Sequence, residues 1–225
     1  YLFAGTSFGH VDHDPPPAGG WPNPTIFDHL DQAGISWRYY YADDSVFLAQ
    51  WQTWARDAGN VYPISSYFTD IQTPSLLPSV LFIEHASKLS LDEHPGTFQP
   101  GAAWVSTLIN ALMQSPSWPI STFILTYDES GGLYDHVPPI TEVAPDNIPP
   151  MSPPASFTQS GLRVPVIVVS PWVRPHFMSH VNRDYLSILK LIETRFNVAP
   201  LTARDKAADD MTEFFDFSQA HWLTP

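Results

Sequence analysis

The sequence predicts an α/β protein built on a largely parallel sheet, and three observations carry that reading. Short continuous apolar runs alternate with longer segments of helical periodicity, the order strand, helix, strand recurs along the chain, and the 24 prolines fall mainly between those segments. With 225 residues, 44% of them apolar, the chain is long enough for one α/β domain, read here as a single partial domain over 1–225.

The elements follow in chain order. Residues 25–33 predict a short helix with Ile26, Phe27 and Leu30 inward and Gly34 at its C-terminal stop. Residues 35–41 then predict a strand. Phe47, Leu48, Trp51 and Trp54 recur at helical spacing, so 45–58 predicts a second helix ended by Gly59. Residues 79–84 predict a buried strand. Trp104, Leu108, Ile109 and Leu112 make an apolar stripe on a helix ending near Gln114, and the β-branched and aromatic run 122–126 predicts the next strand. The apolar run 164–169 predicts another. Tyr185, Ile188, Leu189, Ile192 and Phe196 then repeat at the spacing of an amphipathic helix. Prolines are densest at 138–154, where lost backbone donors oppose regular structure, so 138–160 predicts a long surface loop, either a lid over the site or a disordered segment.

A net charge of −13 with only 10 Lys plus Arg excludes a general basic surface, and with it nucleic acid as a partner, because phosphate backbones need clustered cations. Zero cysteines exclude disulfides, thiolate metal sites and cysteine nucleophiles. The best apolar runs, 79–83 and 164–169, fall far short of the ~20 residues of a membrane-spanning helix. Because Tyr1 rather than a methionine opens the chain, a preceding segment is expected.

The densest polar cluster is Thr126-Tyr127-Asp128-Glu129-Ser130-Gly131-Gly132-Leu133-Tyr134-Asp135-His136-Val137, and it begins where an apolar strand ends. Ligands of open α/β sheets sit beyond the carboxyl ends of strands. Adjacent Asp128 and Glu129 would repel if both were buried and ionised, and a divalent cation is the simplest compensation. Gly131-Gly132 permits a tight turn that returns Asp135 and His136 to the same mouth. The same residues also fit a solvated turn. A second cluster, Leu91-Asp92-Glu93-His94-Pro95-Gly96, follows the strand that ends in Glu84-His85 and offers an imidazole as phosphoryl donor or general acid, or simply a polar loop. His10 and His13 with Asp12 and Asp14, and the pair Asp43-Asp44, are ligand-like in type and equally suited to solvated loops.

Gly5-Thr6-Ser7-Phe8-Gly9 matches the nucleophile elbow of serine hydrolases, with residues 1–4 as the preceding strand. An elbow must lead into a helix, and the Pro15-Pro16-Pro17 that follows opposes one. A hydrolase using Ser7 is therefore a minor alternative.

The run from Tyr127 to Pro139 resembles the signature of the bacterial phosphoesterase family that contains non-haemolytic phospholipases C and a group of acid phosphatases, within the alkaline phosphatase superfamily. The resemblance extends to Tyr1-Leu2-Phe3-Ala4-Gly5-Thr6-Ser7, to Leu91-Asp92-Glu93-His94-Pro95-Gly96, to Arg163-Val164-Pro165 with Ser170-Pro171-Trp172, and to Ser179-His180 with the helix over 187–196. It implies a three-layer α/β/α sandwich with a mostly parallel central sheet, whose N-terminal part lies outside this chain. It implies a divalent metal held partly by Asp128 and Glu129, with His94 and His136 at the phosphate pocket. Glu93, Ser130 and Asp135 are the accompanying substrate-binding candidates. The implied reaction is in-line attack on phosphorus by a Ser or Thr of an upstream segment, giving a covalent phospho-enzyme that water hydrolyses. A phosphate-ester small molecule or a phospholipid headgroup is the implied substrate, and an extracellular or periplasmic location is implied likewise. The family pattern places a histidine directly after the acidic pair, where this chain has Ser130, so a non-catalytic phosphate-ligand-binding relative is the alternative from a different class.

Overall fold

The computed structural model describes residues 1–12, 14–43, 47–85, 96–152 and 154–225. The first helix, α1 (Ile26–Gln32), is set by a capping box, in which the Thr25 hydroxyl and the Asp28 carboxylate satisfy each other's backbone donors. Its Ile26, Phe27 and Leu30 are fully enclosed, each contributing roughly 1.5–3 kcal/mol by burial. Gly34, at φ +67, turns the chain into β1 (Trp37–Tyr41).

The predicted helix over 45–58 is broken. Its described part is a 3-10 turn at Phe47–Gln50 followed by a short α2 (Gln52–Arg56). The cause is Trp21, whose backbone N–H donates to the Gln50 carbonyl at 2.7 Å and whose carbonyl accepts from Gln52 at 3.1 Å, withdrawing both groups from a helical ladder. Gly20 lets this segment approach, since a Cβ there would lie 2.9 Å from the Trp51 carbonyl carbon.

Next come β2 (Val61–Pro63), α3 (Ile64–Asp70) and β3 (Val80–Ile83). The three strands form a parallel sheet in the order β2-β1-β3, with Tyr39 opposite both Val61 and Phe82. Helices cover both of its faces, because the pleat sends alternate residues to opposite sides. Trp37, Tyr39, Val80 and Phe82 pack with Phe3, α1 and the helix α5 described below, while Tyr40, Leu81 and Ile83 pack with Tyr67 of α3 and with Leu108 and Leu112 of α4 (Gln99–Met113).

The strands β4 (Phe123–Thr126) and β5 (Val166–Val169) pair antiparallel in a separate two-stranded sheet, so the sheet is not continuous or uniformly parallel. A parallel return needs a crossover, usually a helix. The described residues between these strands form none, only the glycine turn and a proline-rich excursion closed on itself by the bridge between Thr141 and Gln159. Nor is β5 a buried strand, for Val166 and Ile167 are exposed.

The last helices are α5 (Leu186–Phe196) and α6 (Ala203–Ala207). Asn197 ends α5 in the left-handed conformation at φ 53, a state that asparagine tolerates. The α1, α4 and α5 expectations match the structure within two residues wherever their ends were specified, as do the strands at 35–41, 79–84, 122–126 and 164–169. Among the described residues no helix is long and apolar enough to cross a membrane.

Candidate functional site

The antiparallel pairing of Thr126 with Val166 places the turn after β4 and the segment before β5 at one end of the small sheet. Thr126 closes that end by donating from its hydroxyl to the Pro165 carbonyl at 3.2 Å. The chain then leaves the sheet at Asp128 and Glu129, both exposed. The Asp128 carboxylate accepts from the Glu129 backbone N–H at 3.0 Å, and the Glu129 carboxylate accepts from Gly131 at 3.2 Å. Gly131 and Gly132 follow at φ 62 and 72, a conformation that glycine adopts without strain and that reverses the chain toward Asp135. Ser130 is half-buried in this turn.

Asp135 is fastened from outside the turn. Arg163 donates from Nε to Oδ2 and from a terminal nitrogen to Oδ1, both at 2.8 Å, and the backbone N–H groups of Arg163 and Val137 add further bonds. This guanidinium and its neighbouring donors hold the Asp135 carboxyl well below the usual carboxylate range. His136 projects into solvent with 79% of its side chain exposed, its Nδ1 3.8 Å from Asp135. The turn is also tied to α5, through the Tyr185 hydroxyl, which donates to the Asp128 carbonyl at 2.8 Å.

The structure therefore brings Asp128, Glu129, Ser130, Asp135 and His136 onto one turn. Glu93 and His94 lie outside the described residues, as do His13 and Asp44. His10 forms a local pair with Asp14 at 2.9 Å and rests against Trp21. Asp12 is exposed, and Asp43 lies close enough to Glu84 to raise its pKa. Ser7 does not stand on an elbow: residues 2–6 form turns and bends rather than a strand, and no helix begins among the described residues before Ile26. Phe8 and Gly9, at φ 54 and 89, carry the chain away in left-handed conformations.

The described residues of the loop over 138–160 form no helix or strand, and besides bonds within the loop they reach the opening turn and α6. Met151 N–H donates to the Gly9 carbonyl, the Thr6 hydroxyl to Asp146, and Ala203 N–H to the Pro145 carbonyl.

Two adjacent carboxylates at a strand end suit a hard divalent cation, which takes oxygen donors. Among the described residues no group of three Asp, Glu or His gathers into a metal centre. Arg163 and Tyr185 carry roles that sequence reasoning missed. The signal for Arg163 was the antiparallel return of β5, which a parallel reading concealed.

Comparison with known proteins adds the context. The family model described as the Phosphoesterase family matches residues 1–199. The chain is 31% identical over 192 residues to non-specific phospholipase C4 of Arabidopsis thaliana, covering 80% of this chain and 36% of that protein. It is 30% identical over 238 residues to phospholipase C B of Mycobacterium tuberculosis, covering 85% of this chain and 43% of that protein. Similarity to non-specific phospholipase C6 of Arabidopsis thaliana, at 31% identity, covers 100% of this chain and 46% of that protein. The chain thus spans less than half the length of these relatives.

Proposed function

The chain belongs to the phosphoesterase family, and from that premise we propose that it is part of a metal-dependent hydrolase of phosphate esters acting on phospholipid headgroups. The observation that carries the reading is the acidic pair Asp128-Glu129 at the carboxyl end of β4, on a turn shaped by two left-handed glycines and fastened by Arg163 and Tyr185. The phospholipase C names of the relatives support a phospholipid substrate over a simple monoester, with acid phosphatase chemistry the variant of the same reading.

Asp128 and Glu129 would hold the divalent metal together with ligands beyond the described residues. When bound, such an ion supplies Lewis-acid stabilisation of charge on a phosphoryl oxygen. The chain's own residues orient the substrate. His136, exposed beside Asp135, is free to donate to a phosphoryl oxygen, and Asp135, locked to Arg163, keeps that part of the turn in place. Ser130 offers a hydroxyl where the family pattern has an imidazole. His94 and Glu93 complete the proposed phosphate pocket.

A Ser or Thr of an upstream segment, in this proposal, attacks phosphorus in line, displaces the alcohol and is released from its phosphate by water. Helices on both faces of the parallel sheet support assignment to a three-layer α/β/α sandwich of the alkaline phosphatase type, with that segment supplying its remainder. The proline-rich loop is the proposed lid. An extracellular or periplasmic site of action accompanies this reading.

The test is hydrolysis of phosphatidylcholine and of p-nitrophenyl phosphate by the full-length protein with and without chelator. Asp128→Asn or Glu129→Gln should lower kcat by on the order of 100-fold or more, and activity that survives both changes overturns the reading. Ser130 in place of the histidine favours one other interpretation, a relative that binds a phosphate-bearing ligand without turnover. A phosphorylated Ser or Thr trapped during turnover eliminates it.

A further inference from the structure

Tyr185 stands at the N-terminal boundary of α5, 57 residues from Asp128 in sequence, and hydrogen-bonds that helix to the acidic turn. Its ring is packed against the core cluster that includes Leu186 and Leu189, which are 1% and 0% exposed, so its position is set by the most enclosed part of the molecule. Its hydroxyl reaches out of that core to the Asp128 carbonyl at 2.8 Å.

The atom it grips matters. The carbonyl of Asp128 belongs to the peptide unit that joins Asp128 to Glu129, and that unit is planar from one Cα to the next. Fixing the oxygen orients the whole plane, and with it the directions in which both carboxylate side chains leave the backbone. Among the described residues the other bonds on the pair are local to the turn, Glu129 N–H to Asp128 and Gly131 N–H to Glu129, so they move with it. β4 ends at Thr126, before the pair begins.

We infer that Tyr185 is a positioning residue for the acidic pair, holding through one phenolic hydrogen bond the peptide plane from which both proposed metal ligands project. The inference rests on the reading of Asp128 and Glu129 as ligands. Partners that orient ligands without touching the ion commonly alter metal affinity 10–100-fold when removed. Because Tyr185→Phe keeps the ring in the core and deletes only the hydroxyl, it separates positioning from packing.

The experiment titrates the full-length protein with Mn²⁺ alone, following the loss of the free-ion electron paramagnetic resonance signal, and measures amide hydrogen exchange over 127–133. Tyr185→Phe should weaken Mn²⁺ binding about tenfold or more, speed exchange in that turn several-fold, and leave the thermal midpoint close to that of the unmodified protein. Tyr185→Leu, which removes ring and hydroxyl together, should lower the midpoint but weaken Mn²⁺ no further than Tyr185→Phe does. If Tyr185→Phe binds Mn²⁺ as the unmodified protein does while Asp128→Asn fails to bind, the positioning role is overturned and the ligand assignment stands. If Asp128→Asn and the unmodified protein bind alike, the ligand assignment fails and takes the positioning role with it.

Discussion

Arg163 grips both carboxylate oxygens of Asp135, Nε on one and a terminal nitrogen on the other, each at 2.8 Å. A planar guanidinium meets a carboxylate in this way and an ammonium cannot, so Arg163→Lys removes the fork while keeping the charge. The expected outcome is several-fold faster amide exchange at 134–137 with little change in global stability, since Arg163 is largely exposed. The Asp135 carboxyl is held below its ordinary value of 3.8, so the stability it contributes is present above that value and is lost only as pH falls beneath it. Exchange in the turn should therefore stay constant from neutral pH down to about 4 once intrinsic rates are divided out, which amide exchange at matched pH checks.

Glu193 and Asp205 give the opposite pH dependence. Glu193, on α5, is 3% exposed, and Asp205, on α6, is fully enclosed with its oxygens taken by Leu201, Thr202 and Lys206 donors. Lys190, on the same helix as Glu193, reaches only to 4.0 Å. Arg204, beside Asp205, is paired with Asp184 instead. Burial first, and then the neighbouring Asp205, push the Glu193 carboxyl from 4.5 up to about 8, so it holds a proton at neutral pH. A raised acid stabilises the fold fully below its unfolded value and loses that contribution as pH rises toward its folded one. Stability should therefore fall as pH rises from 4.5 toward 8. Glu193→Gln, which is neutral at every pH, should flatten that part of the urea-denaturation profile, and an unchanged slope would count against the raised carboxyl.

How much of this was legible in the sequence depends on where each element finds its partners. α1, α4 and α5 were readable because a capping box or an apolar stripe at helical spacing is a local signal. Helix 45–58 was misread because its apolar spacing is genuine, yet Trp21, some 30 residues upstream, takes the backbone groups of Gln50 and Gln52. The same limit hid the antiparallel return of β5: a run of valines and isoleucine states strand but not direction. At the site, the type and order of Asp128, Glu129, Asp135 and His136 were visible, since they crowd one turn. Arg163 and Tyr185 were not, because the bonds that give them meaning cross 28 and 57 residues.

Gly5 lies against the Thr202 cap of α6. It sits at φ +71, and a Cβ there would lie 2.7 Å from the Thr202 side chain, whose hydroxyl caps α6. Gly5→Ala combines a left-handed backbone penalty with displacement of that cap, so a loss of about 2–4 kcal/mol is expected. Urea denaturation measures it. Gly34→Ala is the control: the backbone is equally left-handed at φ +67 with open space around it, and it should cost only about 1 kcal/mol.

Tyr39 and Glu84 join β1 to the end of β3, and their bond tests whether this join depends on a half-buried charge. The Tyr39 hydroxyl donates to Glu84 at 2.5 Å, and Phe47 N–H donates to both oxygens of the same carboxylate at 2.8 and 2.9 Å. Burial raises the Glu84 carboxyl above 4.5, and the Tyr39 hydroxyl is the largest influence opposing that rise. Tyr39→Phe keeps the ring in the core but leaves a half-buried carboxylate with one donor fewer, at a cost of about 1–3 kcal/mol. The cost should be larger at pH 7.5 than at pH 4, because the lost bond is charge-assisted only while Glu84 is ionised. Comparing each variant with the unmodified protein at the same pH cancels the Glu193 titration. In a double-mutant cycle with Glu84→Gln, the coupling should reach about 1–2 kcal/mol at pH 7.5 and shrink at pH 4; equal coupling at both values would show that the carboxylate's charge plays no part in the bond.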